Sequence, residues 1–232
     1  KFIEQTVDEQ NIDLWFEQVT KRLTEPQRAD LKNKRSSIKR LGSTSERIKR
    51  IALDINLHFI EGFKNTGFKA MLACNFKKDA VRYQKCFEEF GDLTTAVVIS
   101  APDMREGNAD VDESTDDMVI AFWNKMMAQY GNADDYEDAI KNKFIDGEID
   151  ILIVCSKLLT GFDAPLTQVL YIDKELKEHG LLQAIARTNR LCEGKDFGLI
   201  VDYRGLIKKL DDALEVYSGA GLESFDSEDI KG

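Results

Sequence analysis

The chain has 232 residues, 43% hydrophobic and 32% charged, with a formal net charge of −10. That length can bury a full core and holds one large domain, with or without helical attachments, which excludes a peptide or a repeat array. The acidic balance argues against a protein that coats nucleic acid nonspecifically, and three prolines with 15 glycines leave no room for long low-complexity linkers.

No stretch approaches about 18 uninterrupted apolar residues, so no membrane span is expected. Lys1 opens the chain on a helical pattern with nothing resembling a signal peptide, as expected of a piece of a longer, cytoplasmic protein. Cys74, Cys86, Cys155 and Cys192 lack CxxC spacing, and only His58 and His179 could join them, so no metal site is expected. Cys74 and Cys155 lie in apolar strand-like runs, where a free cysteine acts as a small core hydrophobe.

Along the chain, residues 1 to about 60 read as helices. Ile12, Trp15, Phe16, Val19 and Leu23 recur at spacings of three and four, as do Ile48, Ile51, Ile55 and Phe59. Ser43-Thr44-Ser45-Glu46 offers an N-cap at Thr44 for the second run. Between Lys21 and Arg50, eleven basic residues face only Glu25, Asp30 and Glu46. That segment fits phosphate contact and a solvated helical face equally well. After Gly67 the pattern changes to short apolar runs alternating with helices. Lys69–Cys74 is a strand, Asp79–Phe90 a helix and Thr95–Ser100 a strand. Asp116–Tyr130 and Tyr136–Phe144 are helices, and Ile149–Cys155 and Val169–Ile172 are strands. Gly180–Leu191 is a helix and Gly198–Asp202 a last strand. This rhythm implies a parallel sheet with helices on both faces, an α/β fold. Ligands of such sheets sit beyond the carboxyl ends of the strands, which puts the loops after these strands on one rim.

Three of those loops carry chemistry. In Thr160-Gly161-Phe162-Asp163-Ala164-Pro165, Gly161 permits close backbone approach and Thr160 offers a hydroxyl to a phosphate oxygen. Asp163 offers an acceptor to a ribose hydroxyl or an arginine. On a helix at about 100° per residue, Gln183, Arg187 and Arg190 fall within an arc of about 60°, while Leu181 and Ile185 point away. Arginines aimed at a developing γ-phosphate charge accelerate phosphoryl transfer by ~10³–10⁵. Only arginine keeps both its charge and a planar fork there. Asn75-Phe76-Lys77-Lys78 opens a helix whose free amides suit a phosphate. No GxxxxGK[ST] loop is present, so the chain cannot cradle ATP by itself. Asp112-Glu113-Ser114-Thr115 has the letters of a magnesium-binding box but follows the polar stretch 106–111 and reads as a surface loop.

The runs Ile151 to Pro165, Leu170 to Lys174 and His179 to Arg190 closely resemble the second motor domain of the R subunit of type I restriction enzymes, which are superfamily 2 translocases. The resemblance implies a RecA-like parallel sheet flanked by helices over 46–205. A helical interdomain segment over 1–45 precedes it, and a helical tail over 206–232 leads to a following domain. It implies a subunit that hydrolyses ATP, pumps duplex DNA past a bound methyltransferase-specificity complex, and cuts it far from the recognition site. By motif, Thr160, Gly161 and Asp163 link nucleotide to DNA backbone, with Gly161 and Asp163 on the nucleotide side and Thr160 on the DNA side. Gln183, Arg187 and Arg190 reach ATP bound on the first RecA-like lobe of the same parent chain. ATP and Mg would be held mainly by that lobe, so the fragment alone is expected to be inactive. Asn75 and Lys77 would face DNA, although the family tends to carry Ser-Arg-like residues in that loop. Ala186 stands where superfamily 2 proteins often have glycine. Two other readings fit the residues: a lobe of another superfamily 2 DNA or RNA helicase, and a catalytically silent RecA-like scaffold that binds DNA or protein.

Overall fold

In a computed structural model of the chain, the residues described are 4–6, 46–102, 117–155, 157–158, 162–176, 180, 188, 190 and 192–206. The elements run β1 (Glu4–Thr6), α1 (Glu46–Gly62), β2 (Lys69–Cys74), α2 (Lys77–Phe90), β3 (Thr95–Val98), α3 (Asp117–Tyr130), α4 (Ala133–Ile145), β4 (Ile151–Val154), β5 (Thr167–Asp173) and β6 (Leu199–Asp202).

The strands are apolar runs rather than alternations, and β2, β4, β5 and β6 are buried along their whole length. Such runs are what a sheet covered on both faces requires. The strands form one sheet in the order β1-β6-β5-β2-β4-β3, every neighbouring pair parallel. Met71 stands beside Leu152 on one side and Leu170 on the other. Alternate residues then feed two cores. Leu72, Ile153, Tyr171 and Val201 face α1 and α2, where Ile51, Ile55, Phe59, Tyr83 and Phe87 pack. Met71, Leu152, Leu170 and Ile200 face α3 and α4, where Met126, Tyr136, Ile140 and Phe144 pack. Each large side chain buried this way stabilises the fold by about 1.5–3 kcal/mol relative to exposure.

The helices end where the sequence lets them. Gly91 takes φ 75° and its N–H bonds the Phe87 carbonyl at 3.0 Å, closing α2 in a left-handed cap. Asn132 caps α4 by accepting from the N–H groups of Asp134 and Asp135.

The α/β class expected from the sequence is the observed one. Where the sequence reads as helical over residues 1–60, Glu4–Thr6 instead extends the sheet, with Gln5 beside Val201. The reason is tertiary: without a neighbour, β6 would leave a row of unpaired peptide groups on its outer side. The helix at 12–23, the cap at Thr44, most of the basic segment, the surface loop at 112–115 and most of the helix at 180–191 lie outside the described residues.

Candidate functional site

From β2 the chain goes on to β3 at one edge of the sheet, and from β5 it goes on to β6 in the opposite direction, so the strand order reverses between β2 and β5, where ligands of such sheets bind beyond the carboxyl ends. Asn75 and Lys77 stand on this rim. The Asn75 Oδ1 accepts from the Glu175 N–H at 3.3 Å, tying the exits of β2 and β5. The Lys77 ammonium donates to the Ala101 carbonyl at 2.7 Å, tying the exits of β2 and β3. Phe76 projects beside them, partly exposed, with the Lys78 ammonium 5.5 Å from its ring centre.

Thr160, Gly161, Gln183 and Arg187 lie outside the described residues. The two described members of their motifs come together: Arg190 Nη1 is 2.8 Å from Asp163 Oδ1, with side chains 42% and 63% exposed. The meeting place is not the carboxyl rim that the sequence reading assigned to both motifs. Asp163 precedes β5, and its neighbour Phe162 packs on Phe144 near the end of α4. The Lys195 ammonium, five residues beyond Arg190, donates to the Pro165 and Thr167 carbonyls at the start of β5. The pair therefore stands on the return paths of the chain, toward the entrances of β5 and β6.

The rim has a polar centre that the sequence reading did not single out. Asp173 ends β5 with a side chain 2% exposed. Arg47 donates to both of its carboxylate oxygens at 2.8 and 2.6 Å, and Arg204 to Oδ1 at 2.7 Å. The Tyr83 hydroxyl donates to Oδ2 at 2.7 Å. Burial first, then the Asp173 charge, pushes the Tyr83 hydroxyl well above the usual phenol range, so it remains a donor. Two guanidinium groups and a tyrosine hydroxyl thus converge on this one carboxylate. The visible signal was an aspartate closing an apolar strand, where an ionised side chain needs partners. Deeper under α1, Tyr203 donates to Asp54 Oδ2, and His58 Nδ1 lies 2.7 Å from the Tyr171 hydroxyl. Burial raises Asp54 from 3.8 to about 6, partly offset by the Tyr203 bond, and lowers His58.

Residues 66–205 match the profile of the family described as type I restriction enzyme subunit R domain 3. The chain belongs to this R-subunit family. It is 36% identical over 195 residues to the type I restriction enzyme MjaVIIP endonuclease subunit of Methanocaldococcus jannaschii, a match covering 80% of this chain and 17% of that protein. It is 52% identical over 80 residues to the SauCOLORF180P endonuclease subunit of Staphylococcus aureus, covering 34% of this chain and 9% of that one. The chain thus spans less than a fifth of the length of these relatives. Among solved structures, the Pyrococcus furiosus Hef helicase domain aligns with a TM-score of 0.42 and 13% identity, covering 87% of this chain and 37% of that one. At that score the likeness carries no argument.

The matched span of this R-subunit domain takes in β2 through β6, and with them the rim, Asp163 and Arg190. It leaves out β1 and Arg47, so one of the two arginines on Asp173 comes from the chain before the matched span. Among the described residues, no helix is long and apolar enough to cross a membrane, and no group of three His, Cys, Asp or Glu side chains could hold a metal ion.

Proposed function

We propose that this chain is the second motor lobe of a type I restriction enzyme R subunit, acting on ATP held mainly by a first RecA-like lobe elsewhere in the parent chain. The observation that carries the reading is the exposed Arg190–Asp163 pair, a fixed cation beside an acceptor. A nucleotide presents anionic phosphates and ribose hydroxyls, which match those two groups. An exposed ion pair is worth only ~0–1 kcal/mol, so each partner can exchange the other for a ligand at little cost. Gly161 and Asp163 would hold the nucleotide, and Gln183, Arg187 and Arg190 would face its phosphates. ATP, when bound with magnesium, supplies the phosphoryl group and the free energy for movement.

On the opposite rim, Asn75 and Lys77 would face a duplex DNA backbone, with Thr160 joining the two sides. Sheet and cores form the rigid body between them. The methyltransferase and specificity subunits are the proposed partners, endonucleolytic cleavage after translocation the proposed outcome, and the cytoplasm the proposed compartment.

The test is DNA-stimulated ATP hydrolysis by the full-length parent chain with its partner subunits. Arg190→Ala is expected to lower the rate ~10³–10⁵-fold with DNA binding intact, which is about 4–7 kcal/mol of transition-state stabilisation. Arg190→Lys is expected to fail as well, because lysine lacks the planar fork. Unchanged hydrolysis in Arg190→Ala would move the reading to a silent scaffold.

A further inference from the structure

The two ends of the stretch from Thr188 to Gly198 meet each other, and its middle is tied to the chain leading into β5. Thr188 is fully buried. A Cβ added to Gly198 would stand 2.4 Å from the Thr188 carbonyl oxygen and 2.7 Å from its hydroxyl oxygen. Gly198 is not among the glycines with positive φ. Glycine is required there by the close approach of a second backbone segment rather than by its own conformation. The Lys195 ammonium donates to the Thr167 carbonyl at 2.6 Å and to the Pro165 carbonyl at 3.2 Å. Its N–H closes a turn on the Cys192 carbonyl at 3.0 Å. Between these two ties stands Arg190, on Asp163.

An exposed ion pair is too weak to fix two chain segments in register. The buried backbone contact and the lysine clamp are not. We infer that Gly198 and Lys195 are positioning residues: together they hold the segment carrying Arg190 against the turn carrying Asp163, so that two separate strand connections present one surface. Gly198 sets how close the segment lies to β6, and Lys195 sets where it lies along the entrance of β5. Burial also lowers the Lys195 ammonium from its ordinary value, the mark of a side chain drawn into the fold rather than waving in solvent.

The inference rests on the proposed function for its consequence in hydrolysis. Ordinary contact begins at 3.4 Å, so Gly198→Ala must move Thr188 by about 1 Å. A misplacement of that size costs ~10²-fold in rate. In the full-length parent chain within its complex, Gly198→Ala is expected to lower kcat for DNA-stimulated ATP hydrolysis about 100-fold, and Lys195→Met about tenfold, with KM for ATP within about twofold. Lys195→Arg is expected to recover most of the loss, since a guanidinium also donates to two carbonyls. Amide exchange should rise over 162–166 and 188–198 while β2, β4 and β5 stay protected.

Unchanged kcat in both Gly198→Ala and Lys195→Met would overturn the inference, as would loss of protection throughout β2, β4 and β5, which would make both residues general supports of the fold. Arg190→Ala run alongside separates the two claims. If it is inactive while both positioning variants are normal, only this inference falls. If it hydrolyses ATP normally, the motor reading falls.

Discussion

Asp54→Asn tests whether the polar cluster under α1 carries a charge against its own environment. Asp54 is buried, and its Oδ1 has no hydrogen-bond partner while Oδ2 accepts from Tyr203. Desolvation raises its carboxyl from 3.8 to about 6. The penalty falls on the ionised form in the folded chain only. Stability from this group is therefore greatest below about 3.8, declines as pH rises, and is at its minimum above about 6. The whole step corresponds to about 3 kcal/mol, of which about 1.4 kcal/mol separates pH 8 from pH 5. Asparagine cannot ionise, yet it resembles the protonated acid in shape and still offers an acceptor to Tyr203.

The assay is urea unfolding of the 232-residue chain and its Asp54→Asn variant at both pH values. The variant is expected to gain about 1.4 kcal/mol more over wild type at pH 8 than at pH 5. A thermal readout should show roughly 3–6 °C for the same difference. His58 titrates in both proteins, so its own contribution cancels in the comparison. An equal effect of the substitution at pH 5 and pH 8 would refute the reasoning and mean that Asp54 is solvated in the folded chain.

Asp173→Ala removes the buried carboxylate shared by two arginines and a tyrosine hydroxyl, and is expected to destabilise by about 3 kcal/mol or more, lowering Tm by roughly 6–12 °C in thermal unfolding. Tyr83→Phe removes one hydrogen bond to the same carboxylate and should cost about 1.5–3 kcal/mol in urea unfolding. Asn132→Ala leaves the first turn of α4 without its cap and should cost about 1 kcal/mol, with amide exchange increasing at Asp134 and Asp135.

Most of the sheet is legible in the sequence because parallel strands covered on both faces are written as short apolar runs. Lys69–Cys74 is read to the residue, and Ile151–Val154 differs only at its ends. The α1 helix is legible from Ile48, Ile51, Ile55 and Phe59, all of which are buried. What is not legible depends on chain segments far apart in sequence. Arg47 meets Asp173 across 126 positions and Tyr83 meets it across 90, and no local pattern marks Arg47 or Tyr83 as its partner. Lys195 looks like any lysine in a polar turn until Pro165 and Thr167 are brought beneath it. Gly198 reads as the first residue of a strand, and only the arrival of Thr188 explains why a side chain is excluded. Glu4–Thr6 fails for the same reason, since it is a strand by virtue of β6.

The two ion-pair centres are built for opposite purposes. At the rim, Asp173 is buried, accepts from three side chains and joins α1, α2 and the exit of β6. Removing any one partner takes a hydrogen bond from a buried carboxylate, so this centre resists change and fixes the rim. At the entrance side, Arg190 and Asp163 are exposed, singly paired and backed by a lysine clamp and a glycine contact that do not involve their charged ends. Their backbone is held while their charges stay free to trade partners. The motor lobe proposed for this chain would need that combination: a rim stiff enough to bear on a polymer, and charged ends that can exchange partners without moving the chain that carries them. The mutational consequences differ accordingly. Changes at Asp173 should register first in stability, and changes at Arg190 should leave stability nearly untouched and, on the proposed function, abolish turnover.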